Sequence, residues 1–399
     1  MKITAVETVR LGEFPNLIWV RLRTDEGVTG LGETFMGAAA VEAYIHESAA
    51  PKLVGRDPIQ IEAINRSLIN YLGWRGTGVE TRGNSAIDIA LWDLFGKAIG
   101  RPVCEALGGK SRDRIRVYNT CAGYKYIRDE RSQAVANWGV GNKQGPYEDL
   151  EAFLHRADEL ALSLLEQGIT GMKIWPLDPY AEASGGQWIS SEDLKKGIEP
   201  FRKVREAVGD RMELMVEMHS LWNLPSAIKI AKALEEYEPT WFEDPVKMDN
   251  IDALARFAGA TRVPTAASET LGTRWAFREL LERAPVGVVI FDPAWVGGIS
   301  EGKKVATLAE AWQLPIAPHD CSGPVEFAAA VHLSINAPNA LVQESVRAFY
   351  TGWYRELVTE IPRVENGWVY PLTGPGLGTE LLPEVLERPD TTSRISTLE

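Results

Sequence analysis

A chain of 399 residues has room for one (β/α)₈ barrel of ~250 residues with a smaller domain beside it, or for two to three ordinary domains. Its 45% hydrophobic and 24% charged residues exclude an intrinsically disordered chain. With 42 Lys and Arg against 55 Asp and Glu, the formal net charge of −13 repels phosphate backbones and argues against nucleic-acid and anionic-membrane partners.

Ile3–Leu11 and Leu17–Arg23 are strand-like runs, and Asp25-Glu26-Gly27 turns the chain into a third, Thr29–Phe35. Helical spacing of apolar residues follows at Val41–Ala50, Ile59–Tyr71 and Asn84–Ala98. The last of these stops at Ile99-Gly100-Arg101-Pro102, where Gly100 suits a C′ position and the proline bars continuation. Three strands followed by helices predict a small α+β domain over residues 1–111.

From residue 112 short apolar runs end in polar residues, and each is followed by a helical stretch. The runs are Arg116–Cys121, Gly171–Trp175, Leu214–His219, Thr240–Asp244, Pro264–Glu269, Val286–Asp292, Leu314–His319 and Leu341–Glu344. Amphipathic segments lie between them at Ser191–Val208, Leu224–Tyr237, Ile251–Phe257, Arg274–Arg283, Ser300–Trp312 and Val325–Ile335. That alternation predicts right-handed βαβ units and a parallel sheet over residues 112–359. Eight strands suit a closed barrel, and an open doubly wound sheet fits the pattern as well. No Gly-rich phosphate loop follows a strand, so a dinucleotide site lacks its fingerprint. The stretches Tyr124–Tyr147 and Pro176–Ser190 read as long loops, of the length used for lids. The turn-dense tail, residues 360–399, is too irregular for a last barrel helix and is expected to pack on the first domain.

Cys104, Cys121 and Cys321 form no CxxC pair and are odd in number, which suits free thiols in a reducing compartment. The early acid Glu7 interrupts any secretory apolar core, and no apolar run reaches the ~18 residues of a membrane span. A cytoplasmic location is the expectation.

The polar strand ends carry the chemistry. Glu217, Glu243 and Glu269 recur every 26 residues, followed by Asp292, His319 and Glu344 at intervals of 23, 27 and 25. One βα unit has that length, so in a barrel all six converge on the mouth at the C-terminal strand ends. A single such Glu could equally cap a helix or pair at the surface. Three in register need a counter-ion, and an all-oxygen set suits Mg²⁺ better than Zn²⁺. His319 follows Asp292 by one strand, as a base oriented by a carboxylate would. His219, two residues beyond Glu217, faces the same side and is a second acid/base or a hydrogen-bonding partner. Lys173 is placed to oppose developing negative charge, or is simply a snorkelling barrel lysine. Together these groups suit abstraction of a proton α to a carboxylate, with Glu344 hydrogen-bonding a carboxylate oxygen. His46, His155 and His332 lie in helical patterns and read as solvent-facing or structural.

These strand-end residues, with Gly30-Leu31-Gly32-Glu33, Ala86-Ile87-Asp88-Ile89-Ala90-Leu91-Trp92-Asp93, Trp241-Phe242-Glu243-Asp244-Pro245 and Thr373-Gly374-Pro375-Gly376-Leu377-Gly378, resemble the mandelate racemase subgroup of the enolase superfamily over nearly the whole chain. The resemblance implies a (β/α)₇β TIM-like barrel under an N-terminal α+β capping domain. It also implies Mg²⁺ on Glu217, Glu243 and Glu269, with His319 as the base oriented by Asp292. Racemases of that subgroup carry Lys-x-Lys where this chain has Lys173-Ile174-Trp175, and an indole exchanges no proton. Glu217-x-His219 resembles sugar-acid dehydratases such as those for galactonate and gluconate, in which that histidine is the general acid.

The function so implied is Mg²⁺-dependent dehydration of an aldonate or aldarate through a metal-stabilised enediolate, giving a 2-keto-3-deoxy acid. An epimerase or cycloisomerase of a sugar acid or lactone is the alternative, and a catalytically silent scaffold is the non-enzymatic one. Substrate contacts are expected from Phe14-Pro15-Asn16, Trp74, Arg75, Tyr124 and Trp175. The resemblance further implies a homo-oligomer, octamers being common in that subgroup.

Overall fold

The structure, a computed structural model, describes residues 1–69, 76–126, 128, 131, 133–141 and 145–397. Trp74 and Arg75 therefore lie outside the described residues. Strands β1 (Ile3–Leu11), β2 (Phe14–Thr24) and β3 (Thr29–Phe35) form an antiparallel meander. The C-terminal strand Thr391–Thr397 pairs with the other edge of β1. Period-two alternation on β2 buries both faces. Ile18, Val20 and Leu22 pack against cap helices through Val41, Ile45 and Ile64, while Leu17 and Trp19 face the main core. Helix Val79–Ile99 lies so close to β3 that a Cβ on Gly30 or Gly32 would sit 2.2 Å from the Ala90 carbonyl oxygen and 1.9 Å from that of Ala86. This contact explains the Gly-x-Gly of the motif.

Strands β4 (Ile115–Thr120), β5 (Gly171–Ile174), β6 (Glu213–Glu217), β7 (Trp241–Glu243), β8 (Thr265–Ala267) and β9 (Val288–Val289) pair in parallel, in chain order. Ile316 bridges in parallel to Val289 and to Ala340, and β10 (Gln343–Ser345) pairs in parallel with β4. The ring of eight thus closes as a barrel, and the open-sheet alternative falls away. Helices fill the seven crossovers, among them Ser191–Val208, Leu224–Leu234, Ile251–Ala258, Thr273–Arg283, Gly298–Ala311 and Pro324–Asn336. Ser190, Asn223 and Asn250 cap three of them by accepting a backbone N–H three residues on. Tyr118, Met215, Trp241, Ala266, Ile290, Ala317 and Val342 plug the barrel interior.

No full helix follows β10. Instead the hairpin Arg363–Glu365 and Trp368–Tyr370 pairs with β4, so the tail touches barrel as well as cap. The turn at Leu377 is bolted to the long cap helix, because Asp93 accepts the amides of both Leu377 and Leu31 at 2.7 and 2.8 Å. Within the second long loop the chain forms a short helix, Asp178–Ser184, where the sequence pattern predicted irregular structure. Proline at its second position and Gly185 in the left-handed region at its end delimit it.

Candidate active site

The eight-strand closure carries the strand-end residues to one mouth. Among the described residues, Glu217, Glu243 and Glu269 form the cluster suited to a cation, with one carboxylate oxygen from each lying within 4.8 Å of the others. Glu243 is held on its second oxygen by Trp241 Nε1, which donates at 2.8 Å. Glu217 Oε1 accepts the amides of Met218 and His219, while its buried Oε2 faces the Lys173 ammonium at 3.2 Å. Lys173 is 2% exposed, and its Nζ lies 2.6 Å from Glu243, 2.9 Å from Glu344 and 3.2 Å from Glu217. Burial opposes its charge, but Glu243 and Glu344 outweigh burial and hold its pKa well above the ordinary value. Burial pushes the Glu243 pKa well up and Glu217 adds to the effect, while Lys173 works against it.

His319 Nδ1 lies 2.8 Å from Asp292 Oδ2 and its Nε2 2.9 Å from Glu269 Oε2. Asp292 is fully buried and accepts the Ala294 amide at 2.6 Å, which fixes the carboxylate that orients the ring. Burial would neutralise His319, yet the carboxylates of Glu269 and Glu344 raise its pKa well above the ordinary value. In return burial is overcome at Glu269, which the His319 charge brings down to about 2. Glu344 accepts from Thr120 Oγ1 and, at 3.0 Å, from the Asp320 amide.

His219 projects from a backbone at φ 47°, in the left-handed region that a non-glycine residue seldom occupies. Its Nδ1 is 2.7 Å from Asp178 Oδ2. Burial opposes its protonation, but Asp178 and Glu217 raise its pKa to about 10. Trp175, 1% exposed, meets the His219 ring edge-on at 5.7 Å between centroids and packs against Tyr126 and Phe153.

Lys173, Trp175, Glu217, His219, Glu269 and His319 all line one cavity. Tyr124 is not among its walls, because its hydroxyl is bonded to Glu356 at 3.1 Å. Tyr126, two residues on, lines the cavity in its place. Sequence reading also missed Asp178, Trp295 and Cys321. Trp295 lies against the His319 ring at 5.4 Å, and Arg82 of the cap covers Trp295 at 4.5 Å. No spacing rule pairs Asp178 with His219, which lies 41 residues away, just past the end of the next strand.

A capped barrel whose mouth gathers three carboxylates, a buried lysine and a His–Asp pair is the architecture of an enolase-type enzyme. Residues 3–108 match the mandelate racemase / muconate lactonizing enzyme N-terminal domain, and residues 156–385 the enolase C-terminal domain-like family. The chain belongs to the mandelate racemase / muconate lactonizing enzyme family of the enolase superfamily. It is similar to a D-galactonate dehydratase of Pectobacterium atrosepticum, at 32% identity over 97% of this chain and 94% of that one. Among solved structures it resembles an enolase of the mandelate racemase subgroup from Agrobacterium tumefaciens, at 53% identity and a TM-score of 0.89 over 100% of this chain and 99% of that one. An enolase protein from Sargasso Sea environmental sequencing shares 43% identity, with a TM-score of 0.89 over 100% and 99% of the two chains.

Proposed function

We propose that the chain is a Mg²⁺-dependent dehydratase of a sugar acid, an aldonate or aldarate. D-galactonate, in the name of several relatives about 30% identical, is the first candidate. In this reading residues 112–359 carry the chemistry, residues 1–111 with the tail cap it, and the working form is a homo-oligomer. The observation that carries it is the pair of histidines, His319 and His219, on one cavity with the acidic cluster, where Trp175 occupies the place of a second lysine base.

Glu217, Glu243 and Glu269 fit a hard cation, since all donors are oxygens and one from each lies within 4.8 Å of the others. Mg²⁺ held there would supply Lewis-acid charge. Once His319 has released the Nε2 proton it directs at Glu269, that nitrogen takes the C2 proton, with Asp292 holding Nδ1, and the C–H electron pair forms an enediolate. Lys173 opposes the negative charge that develops, and Glu344 hydrogen-bonds a substrate carboxylate oxygen. The electron pair then forms C2=C3 as the C3–O bond breaks, and His219 Nε2–H protonates the departing hydroxyl to water. The enol ketonises to a 2-keto-3-deoxy acid, so the substrate loses one H₂O overall. Trp175 walls the cavity beside His219, whereas Tyr124, Trp74 and Arg75 carry no role in this scheme.

The test is a panel of aldonates and aldarates incubated with purified protein and Mg²⁺ in D₂O, followed by NMR. A 2-keto-3-deoxy product is expected. A product isomeric with its substrate and deuterated at C2 would replace dehydration by epimerisation or cycloisomerisation. Absence of C2 exchange with every acid would favour a silent scaffold.

A further inference from the structure

The loop after β5 delivers two residues to His219, and the reaction scheme above uses neither of them for proton transfer. Trp175 closes one edge of the imidazole, with the ring planes at 75°. Asp178, three residues on, is 5% exposed and places Oδ2 2.7 Å from His219 Nδ1. The other Asp178 oxygen, Oδ1, is buried without a hydrogen-bond partner, so among the described residues this carboxylate's side-chain bonding is committed to His219. On the histidine side, the His219 amide donates to Glu217 Oε1 at 2.7 Å, which holds the unusual backbone at φ 47°. Backbone, ring edge and Nδ1 are thus all restrained, and Nε2 is the nitrogen left for the cavity.

We infer that Asp178 is a positioning residue for His219, forming with it a second Asp–His pair that works alongside Asp292–His319. A carboxylate on Nδ1 keeps a proton there and so fixes which nitrogen faces the substrate. The two pairs match in geometry, at 2.7 and 2.8 Å from Nδ1 to a carboxylate oxygen, but they have different tasks. Asp292 orients the group that accepts the C2 proton, and Asp178 orients the group that delivers a proton to the leaving hydroxyl. This assignment of tasks rests on the dehydratase reading; the positioning itself rests on the geometry alone. The Lys-x-Lys departure is then one half of a local exchange: the segment Trp175-Pro176-Leu177-Asp178 gives up a lysine base and supports a histidine acid.

The experiment compares the whole enzyme with its Asp178→Asn and Asp178→Ala variants by two readouts. The first is the ratio of elimination to C2-proton exchange in D₂O with the best substrate of the panel. In both variants elimination is expected to fall ~100-fold further than exchange, the range for loss of one acid/base group. Asn keeps the shape of Asp, so a space-filling role would leave that variant at the wild-type ratio and overturn the inference, as would an equal fall of both steps. The second readout needs no turnover: ¹⁵N chemical shifts of the ring nitrogens in histidine-labelled protein, with His219 assigned by its absence from His219→Asn. The Nδ1 signal is expected to move from protonated toward unprotonated values in both variants. Unchanged shifts would refute the positioning role, even if no sugar acid proved to be a substrate.

Discussion

His332 gives a quantitative test of how cap, barrel and tail are joined. It lies fully buried in helix Pro324–Asn336, accepts the Cys104 amide on Nδ1 at 3.4 Å, and bonds through Nε2 to the Leu377 carbonyl at 3.0 Å. Those partners require the neutral ring with its proton on Nε2. Burial lowers its pKa from the ordinary 6.5 to about 4. Below pH 6.5 the unfolded chain therefore binds a proton that the folded chain refuses, and stability falls with pH until about 4 is reached. At about 1.4 kcal/mol per pH unit, the loss across that window is about 3 kcal/mol. His332→Gln lacks this titration but leaves a buried amide and carbonyl poorly paired, at a cost of about 1–3 kcal/mol at neutral pH. Urea unfolding of both proteins, followed by circular dichroism from pH 7.5 to 4.5, should show wild type ahead at neutral pH and the gap closing or reversing in acid. A gap that stays constant across the range would refute the reasoning.

Trp241→Phe removes the indole N–H from Glu243 and should weaken Mg²⁺ binding about 10–100-fold by calorimetry, with the barrel still folded. Lys173→Met leaves three buried carboxylates without their cation and should destabilise the metal-free protein by about 3–5 kcal/mol. Added Mg²⁺ should then raise its Tm by more than it raises that of wild type, as measured by differential scanning fluorimetry. Gly32→Ala drives a methyl into the Ala86 carbonyl and should cost more than about 3 kcal/mol in urea unfolding, with the loss centred on the cap.

The strand-end acids were legible because a βα unit repeats at a nearly constant length, so equal spacing in sequence becomes convergence in space. Strand–helix alternation alone left barrel closure open against a doubly wound sheet, since closure runs through a single bridged residue, Ile316, and a β10 of three residues; the family resemblance supplied the barrel. Periodicity placed the helices well because their buried faces repeat every three to four residues. It failed at Asp178–Ser184, a seven-residue helix too short to show a period. The choice of Tyr124 over Tyr126 turned on which of two nearby side chains in an irregular loop finds a partner outside the cavity, and Glu356 comes from a distant part of the chain. Asp178 and Trp295 were missed for the same reason: their partners, His219 and His319, lie past the ends of neighbouring barrel strands, and only the folded barrel brings them together.

The cap is bonded to the segment that holds the His–Asp pair. At the end of β3 the Phe35 carbonyl accepts from both Arg82 Nη1, at 2.7 Å, and Trp295 Nε1, at 3.2 Å. One residue earlier, Thr34 Oγ1 donates to the Ala294 carbonyl at 2.7 Å. Ala294 is the residue whose amide fixes Asp292, and Trp295 is the ring that backs His319. Two cap residues, Thr34 and Phe35, therefore bond to the short barrel segment that sets both members of the His–Asp pair. Glu33 extends the seam by accepting the Glu326 amide at 2.9 Å at the start of helix Pro324–Asn336. A cap displaced at β3 would disturb the His–Asp pair and, through Phe35 and Met36, a wall of the cavity. The strand register of the first 35 residues thus bears on the geometry of the His–Asp pair, and Phe35 itself lines the cavity with Glu217 and Glu269.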